Sequence, residues 1–249
     1  TDAGSVPADG SLRLDDVRHS YDGGHEVLHG VSLTLRAGER VALVGSTGAG
    51  KTTLAAIAAG SITPTSGRVS IGGVPLADLD DLRRHIAIVS QEVHVFAGPL
   101  IEDLRLAAPE SSDEDVAAAL RTVGAYEWVE ALDEGMLTVV GEGGHEMTAA
   151  QAQQLALARL VLADPAVAVL DEATAEAGSA GARELEATAD AATEGRTTLV
   201  VAHRLTQAAG ADRVIVLEHG QIVEEGPHRE LVSAGGRYAQ LWAAWEGRD

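Results

Sequence analysis

The chain has no cysteine, a single lysine and few aromatic residues: among its 249 residues stand three Trp, three Tyr and one Phe. Without cysteine there is no disulfide framework, no thiolate nucleophile and no Cys-based zinc site, a composition that fits a cytosolic setting. Basic residues are scarce as well, 18 Lys+Arg against 38 Asp+Glu, so the formal net charge is −20. A surface of that sign repels polyanions, which argues against nucleic acid as a partner. No uninterrupted apolar run reaches the roughly 18–20 residues of a membrane-crossing helix. The opening Thr1-Asp2-Ala3-Gly4-Ser5 has neither a basic n-region nor an apolar h-region, so the chain as it stands is expected to be soluble and not exported. Hydrophobic residues at 45% and charged residues at 22% are ordinary for a packed globular domain, and the length suits one large domain or one domain with an insertion.

Residues 1–10 show no periodicity and read as a flexible terminus. Alternation in Leu12-Arg13-Leu14 and in Val31-Ser32-Leu33-Thr34-Leu35, with a turn at Gly23-Gly24, predicts an antiparallel start. Arg40-Val41-Ala42-Leu43-Val44 reads as a buried strand that enters a Gly-rich loop, followed by a helical pattern from Lys51 to Ala59. Val167-Ala168-Val169-Leu170 and Thr198-Leu199-Val200-Val201-Ala202 are short apolar runs bounded by polar residues, as expected of central parallel strands. From about Pro99 to Ala163 the text is helical. Pro99 suits a first helical position, Ser111-Ser112-Asp113-Glu114 resembles a capping box, and Thr148 to Leu162 has no Gly or Pro. The expectation is an all-helical insertion with a solvated acidic face, since Glu110 to Glu146 holds ten carboxylates and only Arg121 as a cation. A hairpin through Arg213-Val214-Ile215-Val216-Leu217 and Gln221-Ile222-Val223, turning at Glu218-His219-Gly220, precedes a C-terminal helix with Leu231, Tyr238, Leu241 and Trp242.

Gly45-Ser46-Thr47-Gly48-Ala49-Gly50-Lys51-Thr52 matches the phosphate-loop pattern G-x-x-x-x-G-K-[ST] in full, between a predicted strand and a predicted helix. Glycines let such a loop wrap a phosphate chain so that backbone N–H groups and the helix N-terminus point at its oxygens. Lys51 then reaches the β- and γ-phosphates, and the Thr52 hydroxyl faces Mg²⁺. The one lysine of the chain stands where a compact ammonium is required. A strand ending in Asp171-Glu172 supplies the complementary carboxylates, the first suited to Mg²⁺ and the second to activation of water.

With these in place the sequence resembles, from about Ser11 to Trp245, the nucleotide-binding domain of ATP-binding cassette transporters, most closely of the exporter type. Tyr21 stands where the family places its adenine-stacking aromatic. Ser90-Gln91-Glu92 resembles the Q-loop, Gly141-Glu142-Gly143-Gly144 leads to the signature helix, Asp171-Glu172-Ala173-Thr174 resembles Walker B, and Val201-Ala202-His203-Arg204-Leu205 resembles the switch-histidine segment. The resemblance implies a P-loop NTPase (RecA-like) α/β core, at about 11–91 and 164–249, with an antiparallel β-subdomain and an inserted α-helical subdomain at about 92–163. It implies nucleotide binding by Tyr21, Gly45, Ser46, Thr47, Gly48, Ala49, Gly50, Lys51, Thr52 and Thr53, Mg²⁺ binding by Thr52, Gln91 and Asp171, and catalytic roles for Glu172, His203, Gln91 and Lys51. ATP and Mg²⁺ are the implied ligands, and the cytoplasmic side of a membrane the implied location. The stretch His94-Val95-Phe96-Ala97-Gly98-Pro99-Leu100-Ile101 resembles exporter sequence after the Q-loop.

Two departures carry information. The family's signature, Leu-Ser-Gly-Gly-Gln, is replaced by Met147-Thr148-Ala149-Ala150-Gln151, and the Ser-Ala-Leu-Asp that usually follows Walker B is replaced by Ala175-Glu176-Ala177-Gly178. Two added methyl groups restrict backbone approach to a phosphate and remove easy access to positive φ. The residues that hold this chain's own ATP are intact, while those lent to a partner are altered. The expectation is one half of an asymmetric heterodimer, paired with a second cassette bearing an intact signature and with transmembrane domains. Alternatives are a homodimer tolerant of Ala149 and Ala150, a regulatory nucleotide-binding subunit with little turnover, and a soluble cassette acting on nucleic acid or ribosomes, which the charge disfavours.

Overall fold

The computed structural model describes residues 5–90, 93, 95–171 and 179–247. In chain order its strands are β1 (Leu12–Ser20), β2 (Glu26–Leu35), β3 (Arg40–Val44), β4 (Ser66–Ile71), β5 (Val74–Pro75), β6 (Ile86–Ser90), β7 (Gly98–Pro99), β8 (Val139–Val140), β9 (Val167–Asp171), β10 (Thr197–Val201), β11 (Arg213–Glu218) and β12 (Gln221–Gly226). Its helices are α1 (Lys51–Ala58), α2 (Leu82–His85), α3 (Leu100–Arg105), α4 (Asp113–Thr122), α5 (Tyr126–Glu130), α6 (Ala149–Ala163), α7 (Ser179–Thr193), α8 (Leu205–Ala209), α9 (His228–Ala234) and α10 (Arg237–Glu246). The chain divides into two compact units, one comprising Thr1–Ile88, Ala166–Glu172 and Gly195–Asp249, the other Val89–Pro165 and Ala173–Glu194.

The first unit is built on two sheets, ordered β2-β1-β4-β5 and β12-β11-β3-β10-β9-β6. In the second sheet β11, β3, β10 and β9 run parallel, and β12 closes one edge as an antiparallel hairpin partner of β11. The parallel strands are apolar on both faces, as covered strands must be: β9 and β10 are buried along their whole length. The period of two divides β3 between two cores. Val41 and Leu43 join Leu54 and Ile57 of α1 and the inward residues Leu12, Leu14, Leu28 and Leu35 of the antiparallel sheet. Ala42 and Val44 join Leu231 and Tyr238 from the C-terminal helices. The expected antiparallel start and central parallel strands are therefore present in one mixed α/β unit.

In the second unit α6 is the hub, with α3, α4 and α7 packed on it. Buried Leu100, Leu104, Val116, Leu120, Leu155, Leu157 and Leu160 form its interior. This unit is not all-helical as expected. β7 and β8 form a two-stranded ladder, Gly98 opposite Val140 and Pro99 opposite Val139, and Pro99 is the extended N-cap of α3, not its first helical residue. The proline, lacking an N–H, sits where the ladder does not need one. A capping box does form before α4, between Ser112 and Asp115. At the C-terminus the structure holds two helices, because Gly235 adopts φ 67°, a left-handed cap that ends α9 before α10 begins. Among the described residues no helix is long and apolar enough to cross a membrane.

Candidate functional site

Parallel strands deliver their C-terminal ends to one edge of a sheet, where α/β proteins build their ligand crevices. Here that edge carries the loop after β3, Asp171 at the end of β9, and His203 two residues past β10. The loop turns tightly: the Ala49 N–H donates to the Ser46 carbonyl at 3.1 Å, Gly48 has φ 81°, and Gly50 caps α1 at φ 99°. Gly45 is required sterically, since a Cβ there would lie 2.1 Å from the Leu217 carbonyl oxygen. The first-turn N–H groups of α1 have no intrahelical acceptors and sum with the helix dipole to favour an anion.

Lys51 Nζ donates to the Gly45 carbonyl at 2.7 Å, across the mouth of the loop. Burial pushes its pKa below the ordinary lysine value, against the opposing pull of Asp171 and Glu218. Asp171 is buried, and its Oδ1 lies 3.2 Å from His203 Nε2. The Gln207 side chain accepts from the His203 backbone N–H at 2.8 Å, steadying the segment. Thr52 is exposed at the first turn while Thr53 is buried, and Thr53 Oγ1 is 2.9 Å from the Tyr21 hydroxyl. Tyr21 is 47% exposed and braced edge-on by His19, ring centroids 4.7 Å apart. The Tyr21 ring thus stands half exposed beside the 45–53 loop and outside the buried core.

The structure thus brings Tyr21, the 45–53 loop, Asp171 and His203 into one unit. Gln91 and Glu172 lie outside the described residues, as do residues 173–178. In the second unit, Thr148 is the N-cap of α6: its Oγ1 accepts from the Gln151 N–H and Gln151 Oε1 accepts from the Thr148 N–H, both at 3.1 Å. Ala149 and Ala150 are exposed in the first turn. Gln153 Nε2 donates to the Ser90 carbonyl at 3.1 Å, tying α6 to the residue before Gln91. Oxygen donors of the kind Thr52 and Asp171 present suit a hard cation such as Mg²⁺.

Residues 28–175 match the family model described as ABC transporter. The chain belongs to the ABC transporter family. It is an ATP-binding domain of the ATPase class that powers such transporters. An uncharacterized ABC transporter ATP-binding protein, YknV of Bacillus subtilis (strain 168), is 41% identical over 234 residues, covering 93% of this chain and 39% of that protein. An ATP-dependent lipid A-core flippase of Ralstonia nicotianae is 44% identical over 240 residues, covering 94% of this chain and 40% of the flippase. The cassette also superposes on a bacterial Atm1-family ABC exporter solved with ATP bound, with a TM-score of 0.87, 32% identity and coverage of 97% of this chain and 42% of that one. It therefore spans well under half the length of these relatives.

Two residues at this edge escape motif reading. Glu218 and Arg237 contact the phosphate loop or its support, yet they belong to no local pattern. The one available signal is positional: Glu218 ends an apolar strand, as Asp171 does.

Proposed function

We propose that this cassette binds and hydrolyses Mg·ATP to power export through membrane domains outside this chain, from the cytoplasmic side, as one half of an asymmetric heterodimer. The observation that carries the reading is the contrast between the two units. On one, the loop, Lys51, Asp171 and His203 form a compact edge. On the other, the signature position holds alanines at the start of α6.

In this reading Tyr21 stacks on adenine, the amides of residues 45–53 cradle the phosphates, and Lys51 leaves the Gly45 carbonyl for the β- and γ-phosphates. Thr52, Asp171 and Gln91 hold Mg²⁺, which neutralises developing phosphate charge. Glu172 polarises the attacking water as general base, and His203, oriented through Asp171 and Gln207, hydrogen-bonds the γ-phosphate. The first compact unit is read as the catalytic core and the second as the helical subdomain, the second also taking in α7, which the sequence reading assigned to the core. The partner cassette supplies an intact signature to this chain's ATP, while ATP on the partner meets Thr148, Ala149, Ala150 and Gln151 and turns over slowly. A homodimer retains one argument, that helix N-termini attract anions through N–H groups whatever the side chains.

The test is ATP hydrolysis by the purified chain as a function of its concentration, with Glu172→Gln to subtract contaminating activity. Binding of Mg·ATP with little turnover is expected. A rate that climbs more steeply than linearly and disappears in the mutant would establish a working homodimer and overturn the heterodimer.

A further inference from the structure

The β11–β12 turn packs against the phosphate loop through several contacts. The Leu217 carbonyl fills the space beside Gly45 where a Cβ would sit. The Gly220 N–H donates to the Ala49 carbonyl at 3.0 Å, and the Gly220 carbonyl accepts from the His29 N–H at 3.0 Å. Between these, Glu218 Oε2 accepts from the Ser46 hydroxyl at 2.7 Å, and Oε1 lies 3.4 Å from the Ser46 N–H. The register accounts for the meeting: β11 runs parallel to β3 with Val216 opposite Val44, so Ser46 and Glu218, two residues further along each chain, emerge side by side. Glu218 Oε1 also accepts from Arg237 Nε at 2.8 Å, in the first turn of α10. Burial raises the Glu218 carboxyl, but the bonds from Ser46 and Arg237 together outweigh it and hold the group below the ordinary glutamate value.

We propose that Glu218 is a positioning residue for the phosphate loop, held in place by Arg237, so that the C-terminal helix α10 governs how tightly the loop grips nucleotide. The proposal rests on the reading of residues 45–53 as the phosphate cradle. Ser46 stands two residues past the end of β3, and fixing its hydroxyl and N–H before nucleotide arrives lowers the ordering cost of binding. Glu218 acts through Ser46 and not on the nucleotide. A bare carboxylate beside a site for a tetra-anion would be unfavourable, and Arg237 supplies the compensating charge. Losing Arg237 thus has two effects, a slack loop and an unneutralised carboxylate, and the second is screened by salt.

The experiment titrates a fluorescent ATP analogue with Mg²⁺ into the full chain carrying Ser46→Ala, Glu218→Ala, both together, Arg237→Ala or Arg237→Lys, with Lys51→Ala alongside. Glu218→Ala is expected to weaken binding about tenfold, and the double variant to be no more than about twofold worse, because both changes break one contact. Arg237→Ala should weaken binding about fivefold at low salt, the gap narrowing as salt rises, and Arg237→Lys should recover most of it. Affinity of Glu218→Ala within twofold of the parent, fully additive losses, or an Arg237→Lys variant no better than Arg237→Ala would each overturn the proposal. Should Glu218→Ala fail to fold, judged by its melt without nucleotide, Ser46→Ala and the Arg237 pair decide. Loss of binding in Lys51→Ala with none in Glu218→Ala would defeat the brace alone; no loss in Lys51→Ala would defeat the cradle reading and the brace with it.

Discussion

Tyr238 is the largest fully buried side chain among the described residues, and its hydroxyl lies 2.6 Å from His228 Nδ1. Burial pushes its pKa up to about 12. A phenol that holds its proton more tightly folded than unfolded contributes stability that is complete below the unfolded value near 10. That contribution is lost as the pH climbs from there through 12. Tyr238→Phe should therefore lower stability by about 1 kcal/mol at pH 8 through the lost hydrogen bond. It should also flatten the alkaline limb, removing about 2 kcal/mol of the fall between pH 10 and 12. Urea unfolding at pH 8, 10 and 11.5 checks both, and an unchanged alkaline limb would show that Tyr238 does not set it. At this same scale, Lys51, Asp171 and His203 were legible because each sits at a fixed offset from an apolar strand or within a dense motif. Glu218 and Arg237 were not: their pairing joins residues 19 apart, and Ser46 to Glu218 spans 172, distances at which only the fold brings partners together.

Elements fared by the strength of their period. The buried strands β3, β9 and β10 were readable from their apolar runs and the long α6 from a stretch free of Gly and Pro, whereas β7 and β8, two residues each, are too short to show any period. The C-terminal segment misleads differently, since its apolar spacing continues across Gly235-Gly236 and only the backbone at Gly235 breaks it. A Cβ at Gly235 meets nothing within 4 Å, but φ there is +67°, so the cost of a side chain is conformational. Gly235→Ala is expected to destabilise the cassette by about 1 kcal/mol, while Gly235→Asn, which tolerates left-handed backbone, should cost less. Equal melting temperatures for the two variants would contradict that account.

On the whole-molecule scale, charge dominates. At −20 the folded cassette repels itself, and two identical copies repel each other before any interface forms. Raising NaCl from 10 mM to 300 mM should lift the melting temperature by a few degrees as the Debye length contracts, and a flat or falling response in calorimetry would show that local pairs offset the net charge. The same repulsion favours a less acidic partner over a second copy, in line with the heterodimer proposed above. With arginine everywhere else, the half-buried ammonium resting on the Gly45 carbonyl is the sole lysine, and its lowered pKa leaves more of it as free amine than an exposed lysine would have. Among side chains, an acylating reagent therefore has a single primary amine to find, so a label attached there marks the mouth of the phosphate loop.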